Sequence, residues 1–477
     1  MNSIRVRANG RFVLIALMMV TSSSVMSLYG QAPGSPAADR LARDIFQELI
    51  EIDTTHSTGD TTRAAEAMAA RLKAAGYPEG DVQIVGPGPR NRNLIARLHG
   101  TGARPPILFL AHLDVVEARR EDWSMDPFKL IERDGFFYGR GTSDIKDGAA
   151  ILIASLIRLK QSGFVPDRDL IVALTAGEES GGDYNGVQWL LTNHRDLINA
   201  PYCINMDAGD PQIKNGRRVL RTVQASEKVY VDFQLEVKNP GGHSSLPTRD
   251  NAIYRLAAGL GRLAPFDFPV RLNEVTRAYF DRMSALARDS EIADAMKSVA
   301  RNPQDQVAAD RLSQDPYYNA MMRTTCVATL LSGGHAPNAL PQTARANINC
   351  RMLPDDSPAE VQKTLIRVLA DDQIKVSIVS EPLPSPASPL NPEVLQATEK
   401  TTARLWPGVP VVPIMETGAT DGAYLRNAGI PTYGISGVFI DVDDVRAHGK
   451  DERIGVREYY DGAEYVYQLM KALAEKN

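Results

Sequence analysis

Cysteine is scarce in this sequence: Cys203, Cys326 and Cys350 are the three cysteines among 477 residues. Each lies in an apolar run typical of a buried strand, where cysteine behaves as a small apolar residue. An odd number leaves at least one thiol unpaired within the chain. We therefore expect buried free thiols, with a bridge between Cys326 and Cys350 as the open alternative.

The sequence also lacks an apolar run at its N-terminus long enough to cross a membrane. The run from Phe12 to Val20 has nine residues, whereas a spanning helix needs about 20. Three arginines precede it, and small and polar residues follow it as far as Ala32. This layout is typical of a secretory signal peptide and predicts removal of residues 1–32. The alternative, a membrane anchor, is disfavoured by the length of the run, and no cysteine directly follows it to carry a lipid. We expect an exported protein, periplasmic or secreted, with no stable membrane insertion after cleavage.

The sequence also has no excess of basic residues over acidic ones. The chain has 53 Lys and Arg against 58 Asp and Glu, and the predicted signal peptide removes three of the arginines. Nothing in this balance indicates a surface for nucleic acid or for an anionic membrane. Apolar residues at 43% and charged residues at 23% are typical of a soluble globular enzyme. No Gly-x-Ser-x-Gly motif is evident, which argues against a serine nucleophile.

The first part of the mature chain predicts an α/β domain with a mostly parallel sheet. Predicted strands are Asn93 to Leu98, Pro106 to Ala111, Asp169 to Thr175 and Tyr202 to Met206, and predicted helices are 38–50, 62–75, 147–160 and about 185–197. Continuous apolar runs are typical of buried parallel strands. The alternation of strands and helices places helices on both faces of the sheet. The same pattern returns near the C-terminus, with strands at Val409 to Met415 and Pro431 to Ser436 and a helix at 454–475.

A second domain interrupts this pattern near residue 228. Its predicted elements follow the order βαββαβ of a ferredoxin-like unit: Val229 to Lys238, 250–263, Thr324 to Leu331, Arg345 to Leu353, Ser357 to Ala370 and Ile374 to Ser380. Residues from about 267 to 322 are polar and mostly helical, and we interpret them as an insertion. The predicted boundaries are 33–227 and 383–477 for the α/β domain and 228–382 for the inserted domain.

Acidic residues and histidines follow the apolar runs of the α/β domain. His112 follows the second strand, Glu178 and Glu179 follow the third, and Asp207 follows the fourth. Ligands of open α/β sheets gather outside the carboxyl ends of the strands, so these side chains should meet at one edge. His, Asp and Glu bind zinc and similar divalent ions. So many carboxylates would repel one another without a cation, and the sequence therefore predicts a metal site.

Three local patterns refine this site. Asp114 lies two residues beyond His112 and can accept its imidazole N–H, which would fix the ligating nitrogen. Glu178 and Glu179 are adjacent, so one can bind metal while the other acts as a general base. Asp144 follows a glycine-rich turn. Its two oxygens could bridge two ions about 3.5–4 Å apart, which can share a hydroxide nucleophile.

The ordered motifs resemble a known family. They are His112-Leu-Asp114, Gly139-Arg-Gly-Thr-Ser-Asp144-Ile-Lys-Asp-Gly, Glu178-Glu179, Asp207, Gly242-His243-Ser-Ser, Asn338-Ala-Leu-Pro, Arg351 and His448-Gly, and they cover nearly all of the mature chain. The set resembles the co-catalytic zinc hydrolases, which include aminoacylase, glutamate carboxypeptidase, carboxypeptidase S and succinyl-diaminopimelate desuccinylase. The resemblance implies two Zn²⁺ ions per subunit, with Co²⁺ or Mn²⁺ as substitutes. It implies as ligands His112, Asp144, Glu179, Asp207 and His448. Asp114 takes the orienting role, Glu178 is the general base, and a cis peptide often follows the bridging aspartate.

The resemblance also implies roles for the inserted domain, as a lid and as the contact of a homodimer. His243 would reach the partner subunit's site and stabilise the oxyanion. Asn338 and Arg351 would hold the substrate carboxylate, for which a guanidinium fork is suited. Thr420 and Asp421 would lie in a substrate loop. Without the resemblance, His243 can also be explained as a residue of a surface turn, and Arg351 as part of a salt bridge at a strand edge.

The expected function is zinc-dependent hydrolysis of a peptide or amide bond next to a free carboxylate. A carboxypeptidase or dipeptidase is the first interpretation, and an N-acyl-amino-acid deacylase is the second. The insertion at about 267–322 resembles the larger lids of the carboxypeptidase S and N-acyl-amino-acid branch. A non-catalytic zinc-binding module is the remote alternative, which the general base Glu178 disfavours. The expected partners are a small peptide or N-acyl amino acid and a second copy of the chain, without nucleic acid.

Overall fold

A computed structural model describes residues 34–180 and 184–475. The predicted signal peptide, residues 1–32, lies outside this range. Among the described residues, no helix is both long enough and apolar enough to cross a bilayer.

The described residues form the following strands and helices. The strands are β1 Val82–Val85, β2 Asn93–Leu98, β3 Ile107–His112, β4 Ile131–Arg133, β5 Phe136–Tyr138, β6 Leu170–Thr175, β7 Cys203–Asn205, β8 Gln212–Lys214, β9 Arg217–Glu227, β10 Val229–Lys238, β11 Gly242–His243, β12 Thr325–Gly333, β13 Ala339–Leu340, β14 Thr343–Met352, β15 Ile374–Ile378, β16 Val411–Glu416, β17 Thr432–Gly434, β18 Ile440–Asp441 and β19 Arg453–Gly455. The helices are α1 Pro36–Glu51, α2 Thr61–Ala74, α3 Lys146–Gln161, α4 Gly186–Asn193, α5 Arg195–Ile198, α6 Ala252–Leu263, α7 Glu274–Ser284, α8 Ser290–Arg301, α9 Gln306–Leu312, α10 Pro316–Met322, α11 Pro358–Leu369, α12 Pro392–Leu405, α13 Gly422–Asn427 and α14 Val456–Ala474.

The large sheet has the order β1-β2-β6-β3-β7-β17-β9-β8-β18, and β16 pairs with β9. Its centre, from β6 to β17, is parallel. Every residue of β3 and β6 is buried, because helices cover both faces. Phe109 packs in the cluster that includes α1, α3 and α14, whereas Leu108 and Leu110 pack on the opposite face with α4 and α13. The predicted α/β fold, with a mostly parallel sheet and helices on both faces, is confirmed.

The second sheet is antiparallel, with the order β12-β14-β10-β15. Buried residues alternate along β10, with Val231, Phe233 and Leu235 inside, because helices α6 and α11 cover one face. The order along the chain is β10, α6, β12, β14, α11, β15, which is the βαββαβ order predicted from the sequence.

Helices α7 to α10 occupy the segment interpreted as an insertion in the second domain. Their buried side chains, including Phe280 and Met296, share one cluster with Val412 and Ile414 of β16. Arg282 of α7 donates to the backbone carbonyl of Val411 at 2.8 Å. The segment therefore packs on the large sheet, because its helices have an apolar face that covers β16.

For Cys326 and Cys350 the structure has the bridge that the sequence left open. Cys326 and Cys350 form a disulfide, and Cys203 is a buried free thiol. Cys326 on β12 and Cys350 on β14 are direct partners in the strand register, which brings their side chains within bridging reach. Sequence alone could not show this register.

We predict that the protein denatured without reductant takes up one alkyl group from iodoacetamide, on Cys203, and that it takes up three after reduction. Peptide mass spectrometry identifies the labelled cysteines. Alkylation of Cys326 or Cys350 without reduction would contradict the bridge.

Candidate active site

Three parallel strands deliver side chains to one edge of the large sheet. His112 is the last residue of β3, Glu178 and Glu179 follow β6, and Asp207 follows β7. His112 is level with Thr175, and Leu110 is level with Asn205, so the three strand ends lie side by side. This is the predicted gathering at the carboxyl ends of the strands.

The first group of ligand atoms contains His112, Asp144 and Asp207. The Nε2 atom of His112 lies 3.3 Å from Oδ1 of Asp144 and 3.7 Å from Oδ1 of Asp207. His112 is 2% exposed. Asp144 enters from the loop before α3, and its peptide bond to Ile145 is cis, as the resemblance implied.

The second group contains Asp144, Glu179 and His448. The Nε2 atom of His448 lies 3.0 Å from Oδ2 of Asp144 and 2.7 Å from Oε1 of Glu179. Asp144 thus turns one oxygen to each group. A third group joins Glu178 and Glu179 to His112, and within each group all ligand atoms lie within 4.8 Å of one another.

The donor set fits two divalent cations that share Asp144. Each of the first two groups offers one imidazole and two carboxylates, a combination that binds zinc and similar metals. Burial and the nearby charge of Asp207 raise the pKa of Glu178 well above its usual range. Burial raises the pKa of Asp207 to about 7, although contact with His112 opposes the shift. Without a cation, these crowded and buried carboxyl groups therefore favour a bound proton, and a bound cation would stabilise their charged form instead.

Asp114 differs from its predicted geometry. The Nδ1 atom of His112 lies 2.9 Å from the backbone carbonyl of Asp114 and 3.9 Å from its carboxylate. The carboxylate instead accepts the backbone N–H groups of Gly177 at 2.7 Å, Glu178 at 3.3 Å and Glu179 at 2.9 Å. The backbone carbonyl is the nearer acceptor for the His112 imidazole. The carboxylate fixes the turn that carries the two glutamates, a turn that begins at Gly177 with φ +88°.

Thr420 and Asp421 make contacts inside the protein. The Thr420 hydroxyl donates to Glu227 at 2.9 Å, and Asp421 accepts from Thr175 at 3.2 Å and from Asn185. Asp421 is buried. These bonds order the loop after β16 beside the glutamate turn, which is the loop that the resemblance assigns to the substrate.

The predicted residues of the second domain lie outside the three ligand groups. His243 is exposed, and its Nδ1 atom lies 2.7 Å from the hydroxyl of Ser245. Asn338 is exposed, and its carbonyl accepts the Ser244 N–H at 3.0 Å. The guanidinium of Arg351 lies over the ring of Tyr230, 4.7 Å from its centroid.

Two residues that sequence reasoning did not assign hold the loops of the second group. Glu452 and Arg140 form a buried ion pair of 2.6 Å between the loop before α3 and the loop that carries His448. Arg140 lies inside the Gly139–Asp144 motif, and Glu452 lies four residues after His448. Their position in two ligand motifs was the available signal, but only the fold shows that they meet.

Comparison with known proteins shows the family and the fold of the chain. The model of a family described as peptidase family M20/M25/M40 matches residues 108–472. The chain is 29% identical over 378 residues to the human N-fatty-acyl-amino acid synthase/hydrolase PM20D1. This match covers 77% of this chain and 74% of the human protein. The chain is 26% identical over 415 residues to carboxypeptidase S of Saccharomyces cerevisiae, covering 76% of this chain and 71% of that one. An M20 family metallo-carboxypeptidase from Sulfolobus solfataricus has the same fold, with a TM-score of 0.67 at 17% identity over 91% of this chain and 99% of that chain.

We predict that substitution of a ligand that belongs to one group removes less metal than substitution of the ligand that both groups share. His448→Ala should lower the content from about two ions per subunit to about one, whereas Asp144→Asn should lower it below one, because Asp144 belongs to both groups. Elemental analysis after gel filtration measures the content. The surface substitution Asp122→Asn serves as control, and two retained ions in His448→Ala would contradict the assignment.

Proposed function

The chain belongs to peptidase family M20/M25/M40, and we propose that within this family it is a di-zinc hydrolase of peptide or amide bonds next to a free carboxylate. Family membership makes it a metal-dependent hydrolase of peptide or amide bonds. The observation that carries the proposal is that Asp144 joins two imidazole–carboxylate groups, with Glu178 at their side.

Zinc is the proposed native metal. Nitrogen and oxygen donors in groups of three leave room for a further ligand, as in catalytic zinc sites. Co²⁺ or Mn²⁺ would be functional substitutes, since the same donors bind them. Two such ions supply Lewis acidity and lower the pKa of bound water.

Glu178 is the proposed general base. Its carboxylate belongs to the group with His112 and Glu179, and the Asp114 carboxylate fixes its backbone. Glu178 is not a member of the two groups that share Asp144, so its carboxylate is left to take a proton and later return it. In this role it accepts a proton from the attacking water and delivers it to the leaving amine.

The proposed substrates are small peptides or N-acyl amino acids. Carboxypeptidase activity is the first choice, and the N-acyl-amino-acid alternative is favoured by the similarity to the human relative. Both substrate classes carry a free carboxylate beside the scissile amide. Arg351 and Asn338 are the proposed partners of this carboxylate, and Thr420 and Asp421 order the adjoining loop.

We predict that wild type prefers free-acid substrates to their amides and that Arg351→Ala loses most of this preference. Loss of a desolvated charged partner costs about 2–5 kcal/mol. Ratios of kcat/KM for paired acid and amide substrates measure it. Arg345→Ala, on the same strand but paired with Glu236, is the matched control. Equal rates on acids and amides in wild type would contradict the assignment.

A homodimer through the second domain is part of the proposal. Strand β12 is the edge of its sheet, and Leu330 and Leu331 on it are 70% and 71% exposed. An exposed apolar edge strand is a surface that another chain can cover. In such a dimer the exposed His243 would reach the partner subunit's site and donate to the oxyanion.

We predict that His243→Ala and Glu178→Ala are each nearly inactive and that mixing them restores activity. A heterodimer contains one site with both residues intact, so it should regain up to about half of wild-type activity. Each variant refolded alone is the control. Demonstrated subunit exchange without recovered activity would place His243 in its own subunit or remove it from catalysis.

Export is the proposed localisation. The disulfide between Cys326 and Cys350 supports it, because such bonds persist mainly in oxidising compartments. The proposed signal peptide is residues 1–32.

A further inference from the structure

The two proposed metal groups are held in different ways. His112 ends a buried strand and is 2% exposed, whereas the side chain of His448 is 54% exposed. The backbone of His448 has φ +62°, a left-handed conformation that is costly for residues other than glycine. Packing therefore explains the position of His112 but not that of His448.

One contact joins the loops that carry His448 and Asp144. Glu452 is fully buried, and its carboxylate accepts backbone N–H groups from Gly141 at 3.0 Å, Ser143 at 2.7 Å and Asp144 at 3.1 Å. Glu452 belongs to the His448 loop and thus holds the backbone of the Asp144 loop, including the amide of Asp144 itself.

Arg140 makes the reciprocal contact. It belongs to the Asp144 loop, and its Nη2 atom donates to the carbonyl of Gly449 at 3.1 Å and to that of His448 at 3.4 Å. Its Nη1 atom donates to Glu452 at 2.6 Å, and its guanidinium lies over the ring of Trp123 at 5.0 Å. Each loop therefore supplies one charged side chain that binds the backbone of the other.

We infer that Arg140 and Glu452 are positioning residues that set the geometry of the Asp144–Glu179–His448 group and thereby determine whether a second metal ion binds. We call this pair the loop clamp. The inference rests on the proposed two-ion site. The clamp contacts the backbone of two of the three ligands of this group, but of the His112–Asp144–Asp207 group it contacts only Asp144. Its loss should therefore weaken the second ion selectively.

The test is Co²⁺ titration of chelator-treated full-length mature protein, followed by calorimetry and by visible absorption of the bound Co²⁺. In Glu452→Gln the side-chain NH₂ group of the glutamine would face N–H donors of the Asp144 loop, and Arg140 would lose its counter-ion. Loss of contacts behind a ligand typically lowers metal affinity by about 10–100-fold. We therefore expect the Co²⁺ site that is lost in His448→Ala to weaken by about this factor and the other site to change by less than about threefold. Arg140→Met should give the same pattern. The double variant should be no worse than either single variant, because the two residues act as one unit.

The matched control is Glu464→Gln, which breaks another largely buried ion pair, Arg158–Glu464 at 2.7 Å, between helices α3 and α14 rather than between the two ligand loops. It should lower the melting temperature and leave both Co²⁺ affinities unchanged. Unchanged affinities in Glu452→Gln, an equal loss at both sites, or the same selective loss in Glu464→Gln would overturn the clamp.

A measurement on wild type covers the case in which the variants do not fold. Hydrogen exchange of the metal-free protein should show protected amides at Gly141, Ser143 and Asp144, because the clamp bonds need no metal. Fast exchange at these amides would overturn the inference. If wild type binds a single Co²⁺, the two-ion site fails and the assigned role of the clamp fails with it; protected amides with a single ion would locate the error in the proposed function.

Discussion

The rest of the structure depends on one constraint, the concentration of carboxylates at a single edge of the large sheet. Asp144, Glu178, Glu179 and Asp207 each place a carboxylate oxygen within 4.8 Å of a ring nitrogen of His112 or His448. Carboxylates that are removed from water repel one another and become protonated unless positive charge or N–H donors stabilise them. The raised pKa values of Glu178 and Asp207 reflect this conflict. Bound cations would stabilise the charged form of the ligand carboxylates. Around the ligands, N–H groups of the protein stabilise further buried carboxylates.

Buried carboxylates next to the ligand residues fix turns of the backbone by accepting its N–H groups. Asp114 accepts three such groups from the Glu178–Glu179 turn, and Glu452 accepts three from the Asp144 loop. Glu227 instead accepts the side-chain hydroxyl of Thr420 in the loop after β16, with Arg426 as its counter-ion. Charge-assisted bonds of this kind are stronger and more directional than neutral ones, so they can fix loops that packing alone would leave loose.

Much of this architecture could be predicted because it follows from periodicity. Strands β2 and β10 have the predicted bounds, and the strand-end positions of His112, Glu179 and Asp207 follow from apolar runs. The acceptor of the His112 imidazole N–H could not be predicted, because both the backbone carbonyl and the carboxylate of Asp114 are possible acceptors. Only their distances from the imidazole show which one is used. The pairing of Arg140 with Glu452 spans about three hundred residues of sequence. The disulfide depends on strand register, and the packing of α7 on β16 depends on contacts between segments far apart in the sequence. No local sequence pattern contains either kind of information.

The central claim is that two cations share Asp144, and anomalous diffraction from crystals of the zinc-loaded protein tests it most directly. Difference maps collected at the zinc absorption edge should show two peaks about 3.5–4 Å apart. One peak should lie among His112, Asp144 and Asp207, and the other among Asp144, Glu179 and His448. A single peak at full zinc loading, or two peaks without an Asp144 oxygen between them, would contradict the account.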